Sequence, residues 1–170
     1  MTKNPSQVSY QVLGIGLMIL LLDQVSKMLV YWYLPVIDST LYWYPYGGIG
    51  IFQNFAGIEF SINHMTNTGA AWGFLGNYQL PLIILRVGLI FVLAVYLFYY
   101  NRHSTWQIPF ILIIAGAIGN VLDYFIYGHV VDMLHVVLWG YDFPVFNLAD
   151  SSISIGIFSL FFLSWFDSKS

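Results

Sequence analysis

Asp132 and Asp150 are the residues of this chain best suited to chemistry. One lies in Gly-His-Val-Val-Asp-Met (128–133), the other in Phe-Asn-Leu-Ala-Asp-Ser (146–151), with a short aromatic, Pro-bearing loop between them. Asp132 sits between Val130-Val131 and Met133-Leu134, a strand-like apolar run in which a lone carboxylate is expensive to place. Carboxylates kept in or near an apolar phase are functional candidates by default. Two that share a site do not both ionise easily, so the pair holds one proton and titrates as a unit. The ionised member can then act as general base on a water while the protonated one polarises a carbonyl. Such chemistry requires no cofactor, no metal and no protein nucleophile.

Other chemistries find little support. Cysteine is absent, which excludes thiol catalysis, disulfides and thiolate metal sites. Ser151 and Ser152 follow Asp150, but no Ser-His or Ser-Lys spacing accompanies them. His129 and His135 flank Asp132 without a third clear ligand, a weak zinc signal, so no metal is expected. His64 and His103 read as surface histidines. A net charge of −3 with no Lys/Arg cluster argues against nucleic acid as a partner.

The elements that must position the two carboxylates are membrane helices. The chain is 59% hydrophobic and only 8% charged, against about 25% charged in a soluble domain. Its length suits one domain, 1–170, embedded in the membrane. Spans fall at about 10–34, 80–100, 106–126 and 145–166, each near the roughly 20 residues that cross a bilayer. To reach that length the fourth must begin inside Phe-Asn-Leu-Ala-Asp-Ser, which places Asp150 in a helix. The first contains Asp23 and Lys27 and runs on to Val30-Tyr31-Trp32 without an Ala-x-Ala site, so it reads as a retained helix rather than a cleaved signal. Lys3, Arg102 and Lys169 lie outside the spans, and the connections at about 35–79 and 127–144 contain no Lys or Arg. The positive-inside rule therefore puts both termini in the cytoplasm and both long loops outside. In the first outer loop, Tyr42-Trp43-Tyr44-Pro45-Tyr46 reads as an interfacial aromatic belt, and Ile58-Glu59-Phe60-Ser61-Ile62-Asn63 alternates like a strand. A small antiparallel outer sheet is expected, followed by a short outer helix from Ala70 to about Leu75.

At about 1.5 Å rise per residue, the polar residues of the spans gather at one depth. Asp23 and Lys27, Arg86, Asn120 and Asp123, and Asp150 with Asn147 one turn above it all fall in the outer half. A proton or ion pathway needs polar groups through the full thickness; a site working at the outer leaflet needs them only here. Ala115-Gly116-Ala117 and Gly119 supply small residues for close helix approach at this level. Blander roles exist for several of these residues. Lys27 can snorkel with Asp23 as its i, i+4 partner, Arg86 can be structural, and Asn120 and Asn147 can be interhelical hydrogen-bond donors. A small transporter or a non-catalytic membrane chaperone are the competing functions, the first disfavoured by the apolar inner halves.

Five motifs, taken in order, resemble those of lipoprotein signal peptidase (signal peptidase II), the membrane aspartyl protease family of bacteria. They are Asp23-Gln24-Val25-Ser26-Lys27, Asn67-Thr68-Gly69-Ala70-Ala71, Gly119-Asn120-Val121-Leu122-Asp123, Gly128-His129-Val130-Val131-Asp132 and Phe146-Asn147-Leu148-Ala149-Asp150-Ser151. The resemblance implies four transmembrane helices, a small extracytoplasmic β-cradle and a short outer helix in the cytoplasmic (inner) membrane. It implies that Asp132 and Asp150 are the catalytic pair. Asn67, Gly69, Ala70, Asn120, Asp123 and Asn147 would shape the site or hold substrate, with Asp23 and Lys27 as first-helix support. The implied substrate is a diacylglyceryl-modified prolipoprotein, cut just before its lipidated Cys, with membrane lipid as the surrounding partner and no cofactor. One position departs from the family: the third-helix Asn-x-x-Asp is commonly followed by Arg, and here by Tyr124. Arg86, expected at the same depth, is the candidate to supply that charge.

Overall fold

Helix α1 (Tyr10–Tyr33) starts at a serine cap. The Ser9 hydroxyl accepts the Val12 backbone N–H at 3.3 Å, and its carbonyl accepts that of Leu13. Helices α2 (Gln79–Val95) and α3 (Gln107–Tyr127) carry Pro81 and Pro109 in their first turns, where a missing N–H is no loss. A π-helical turn, Tyr96–Tyr100, prolongs α2, and a 3₁₀ turn, Ser104–Trp106, leads into α3. Helix α4 is Leu148–Asp167. The computed structural model describes residues 7–37, 43–68 and 79–167. Among them four helices are long and apolar enough to cross a membrane: Tyr10–Tyr33, Gln79–Tyr100, Ser104–Tyr127 and Leu148–Asp167. They match the expected spans. The fourth begins at Leu148 rather than 145 because Phe146 is still paired with β3, its N–H and carbonyl bonded to Leu134. Asn147 therefore precedes the helix and Asp150 lies in its first turn. The expected outer helix near Ala70 lies outside the described residues.

The chain divides into two compact units. One comprises Met1–Asp23, Ile83–Leu122 and Leu148–Ser170; the other comprises Gln24–Leu82 and Asp123–Asn147.

The first unit is helical, with a core of Val12, Leu97, Phe110, Ile111 and Ile114. Many large apolar side chains of its helices face outward, among them Leu17, Phe91, Phe158 and Phe162, as expected of helices whose outer solvent is lipid. Glycines set the close approach of α3 and α4. A Cβ at Gly116 would strike the Ala149 carbonyl, and one at Gly156 would lie 2.7 Å from the Pro109 carbonyl. Backbone cannot yield as a side-chain tip can, so these positions tolerate no larger residue without separating the helices.

The second unit is built on a four-stranded antiparallel sheet in the order β1-β2-β3-β4, with β1 Ile49–Phe55, β2 Ile58–Asn67, β3 Val130–Leu138 and β4 Tyr141–Asp142. The strand read over 58–63 extends to Asn67, and its alternation breaks at a register irregularity between Ile62 and Met65, where Asn63 and His64 are both buried. Below it, Val131 and Met133 pack against Val30 at the end of α1. Part of the aromatic run read as a membrane belt instead braces this sheet. The Tyr44 hydroxyl donates to the Phe60 carbonyl and that of Tyr46 to Glu59, while Trp43 stays exposed. Burial and the Glu59 bond push the Tyr46 phenol up to about 12.

Candidate active site

In the sheet unit, Asp132 is 2% exposed on β3, opposite Met65 of β2. The strand holds it from both edges. On one side lies β2. On the other, the Val131 N–H donates to Asp123 Oδ2 at 3.3 Å, and the Met133 N–H to the Phe146 carbonyl at 2.9 Å. Two asparagine amides reach the Asp132 carboxylate: Asn147 Nδ2 donates to Oδ1 at 2.7 Å and Asn67 Nδ2 to Oδ2 at 3.1 Å. Asn67, at the end of β2, and Asn147, just before α4, are thus brought to the same carboxylate from distant points in the sequence.

Beneath β3 lies a buried ionic centre. Asp123 and Lys27 are both fully enclosed and pair at 2.7 Å. Gln24 Nε2 donates to the other Asp123 oxygen at 2.8 Å. Lys27 therefore turns inward rather than snorkelling. The Tyr124 hydroxyl donates to Gln79 Oε1 at 3.1 Å.

In the helical unit, Asp150 is half-buried, and Asn120 Nδ2 donates to its Oδ1 at 2.8 Å. Asp23, 1% exposed on α1, accepts the Ala149 backbone N–H at 2.8 Å. That amide is one of the first four of α4, which the helix cannot satisfy itself. Gly119 makes room: a Cβ there would lie 2.6 Å from Asp23 Oδ2. Arg86 is half-buried on α2 of this unit. Gly69 and Ala70 lie outside the described residues. Among those described, no three His, Cys, Asp or Glu side chains group to hold a metal ion.

Sequence reading misjudged one histidine and missed one contact. His64 is 3% exposed rather than on the surface, its Nδ1 bonded to the Leu34 carbonyl at 3.0 Å and its ring against Tyr31. Strand β2 continues past Asn63 and turns His64 inward toward the end of α1, which periodicity over 58–63 alone did not reveal. Gln24 was quoted in a motif but given no role. Its position, three residues before Lys27 on α1, was the available signal.

His129, at the start of the catalytic-candidate strand, has its affinity for protons lowered, first by burial and then by His64, against a smaller opposing pull from Asp123. A lowered value means the unfolded chain takes up its proton first as pH falls. Acid then destabilises the folded form from about the ordinary 6.5 downward, until pH falls below the folded value. His129→Gln is expected to lose less melting temperature between about pH 7 and pH 5 than the parent protein does. Equal losses in the two proteins would refute this assignment.

The family model described as signal peptidase (SPase) II matches residues 15–166. The chain is 37% identical over 155 residues to the lipoprotein signal peptidase of Chlamydia pneumoniae, covering 88% of this chain and 87% of that one. It is 36% identical over 148 residues to that of Burkholderia multivorans, covering 85% and 81%. A solved bacterial membrane enzyme structure superposes with a TM-score of 0.82 at 26% identity, over 98% of this chain and 94% of that one.

Proposed function

The chain belongs to the signal peptidase II family, and from that premise we propose that it is an aspartyl endopeptidase that removes the signal peptide from diacylglyceryl-modified prolipoproteins, cutting just before the lipidated Cys. The observation that carries the reading is Asp132. A carboxylate 2% exposed, in an apolar strand, with asparagine amides on both oxygens, is costly to keep and fixed in direction. Asp150, with its own asparagine donor, is the second member of the pair.

In this mechanism the two carboxylates act on one scissile peptide and share one proton. The ionised member takes a proton from water, the water attacks the carbonyl carbon, and the protonated member donates to the carbonyl oxygen. Collapse of the tetrahedral intermediate passes a proton to the leaving nitrogen and restores the pair. Asn67, Asn120 and Asn147 orient the carboxylates. Both termini face the cytoplasm and the site lies at the outer leaflet, where the lipobox of such a substrate reaches the headgroup boundary. The test is incubation of purified protein with diacylglyceryl-modified and unmodified precursor, with mass-spectrometric mapping of the products. Cleavage just before the modified Cys, and of the modified precursor only, is expected; equal cleavage of both forms refutes the substrate assignment.

Arg86 is assigned the positive charge that the family commonly places after the third-helix Asp. Arg86→Leu is expected to lower kcat/KM about tenfold or more, the scale of one lost charge-assisted hydrogen bond. Near-normal cleavage by that variant would exclude the role.

A further inference from the structure

We infer that Asp123 and Asp23 are positioning residues, each accepting the backbone N–H of the residue immediately before one of the two catalytic aspartates. The inference rests on the aspartyl reading above. Asp123 accepts the N–H of Val131, and Asp132 follows; Asp23 accepts the N–H of Ala149, and Asp150 follows. The two arrangements lie in different units and on different secondary structures, a strand edge and a helix start. They nevertheless share one plan: a buried carboxylate from a membrane helix grips the backbone one residue upstream, and asparagine amides grip the side chain.

The physical need differs at the two places. On β3 the Val131 N–H leaves the edge away from β2 and is buried, so without Asp123 it would lack an acceptor. At α4 the Ala149 N–H is an orphan of the first helical turn, and a carboxylate there also meets the positive end of the helix dipole. Keeping Asp23 and Asp123 at 1% and 0% exposure is costly. A neutral acceptor would satisfy an N–H more cheaply, but a carboxylate bonds it more strongly and holds it in place. Anchoring the preceding peptide fixes the direction in which the next side chain leaves the backbone while its carboxyl stays free to exchange a proton. Gly119 is part of the device, since any side chain there would displace Asp23.

The test compares variants that keep or remove the acceptor oxygen in purified full-length protein, assayed on diacylglyceryl-modified precursor. Asp23→Asn keeps an oxygen for the Ala149 N–H; Asp23→Ala does not. Asp23→Asn is expected to exceed Asp23→Ala in kcat by about 10²-fold, the cost of a small misplacement of a reacting group, with similar KM. For Asp123 the comparison is made with Lys27→Met in both proteins, so that the enclosed ammonium does not confound it. There Asp123→Asn is expected to exceed Asp123→Ala in kcat by a similar factor. Should Asp23→Ala fail to fold, replacing the Ala149 peptide N–H by an ester oxygen removes the donor while leaving every side chain in place, and is expected to lower kcat. The inference is overturned if the Asn and Ala variants have equal kcat, if they differ only in KM, or if the ester protein keeps full kcat. Failure of the underlying aspartyl reading shows separately, as cleavage by Asp132→Asn or Asp150→Asn.

Discussion

Asp132→Asn and Asp150→Asn are each expected to lower kcat for precursor cleavage by about 10²–10⁴-fold, the range contributed by a positioned acid or base. The double variant is expected to be little worse than either single one, because two residues that act as a unit are lost together when the first is removed. Neither change alters side-chain volume, so packing is retained. The polar cost is unequal. At Asp132 both oxygens accept an asparagine amide, and an amide side chain there can accept at only one of its two ends. One bond is lost, about 1–3 kcal/mol for a buried donor. At Asp150 the Asn120 amide meets Oδ1, which an asparagine can still present. The Asp132 variant should therefore melt lower than the Asp150 variant while both are inactive. KM should move little in both, since neither carboxylate is assigned to binding. Either single variant keeping a tenth of the parent rate, or additive losses in the double, would remove the pair from the mechanism.

Much of this was legible in the residues because membranes make sequence patterns strict. Long apolar runs marked all four helices to within a few residues, and the largest shift is at the start of α4, from 145 to Leu148. That start moved because Phe146 pairs with Leu134, a long-range contact that hydropathy does not encode. Carboxylates in apolar surroundings singled out Asp132 and Asp150 for the same reason: few such residues are affordable there. The partnerships were less legible. Spacing offered Lys27 a partner one turn away in Asp23, and gave no hint of its ion pair with Asp123, which joins residues far apart in sequence. The i, i+4 rule describes neighbours on one helix and is silent about which of two carboxylates a third element presents. Asn67 and Asn147 stood in motifs, but their convergence on one carboxylate depends on the register of β2 against β3, which places Asn67 opposite Val130.

The buried Lys27–Asp123 pair separates stability from activity, and the separation can be measured. Lys27→Met leaves Asp123 with the Gln24 and Val131 donors but without the ammonium that meets it at 2.7 Å. Because both side chains are fully enclosed, removal of one partner is expected to cost about 3–5 kcal/mol. A snorkelling lysine at the same position would give well under 1 kcal/mol. Asp123→Leu should be comparably destabilising, since it takes the carboxylate at 2.7 Å away from an enclosed ammonium. Replacing both, as Lys27→Met with Asp123→Leu, removes two charges from an enclosed place and is expected to recover part of the lost stability over either single variant. Activity should not follow. The double variant still lacks the acceptor for the Val131 N–H, so the strand carrying Asp132 loses its anchor next to that residue, keeps only the Phe146 bonds on that edge, and kcat stays low. A double variant that regains both stability and kcat would show the pair to be structural only. Unchanged melting in Lys27→Met would show that the ammonium is not held where the pair places it. Recovered stability with persistently low kcat is the pattern that ties this buried charge to the direction of Asp132.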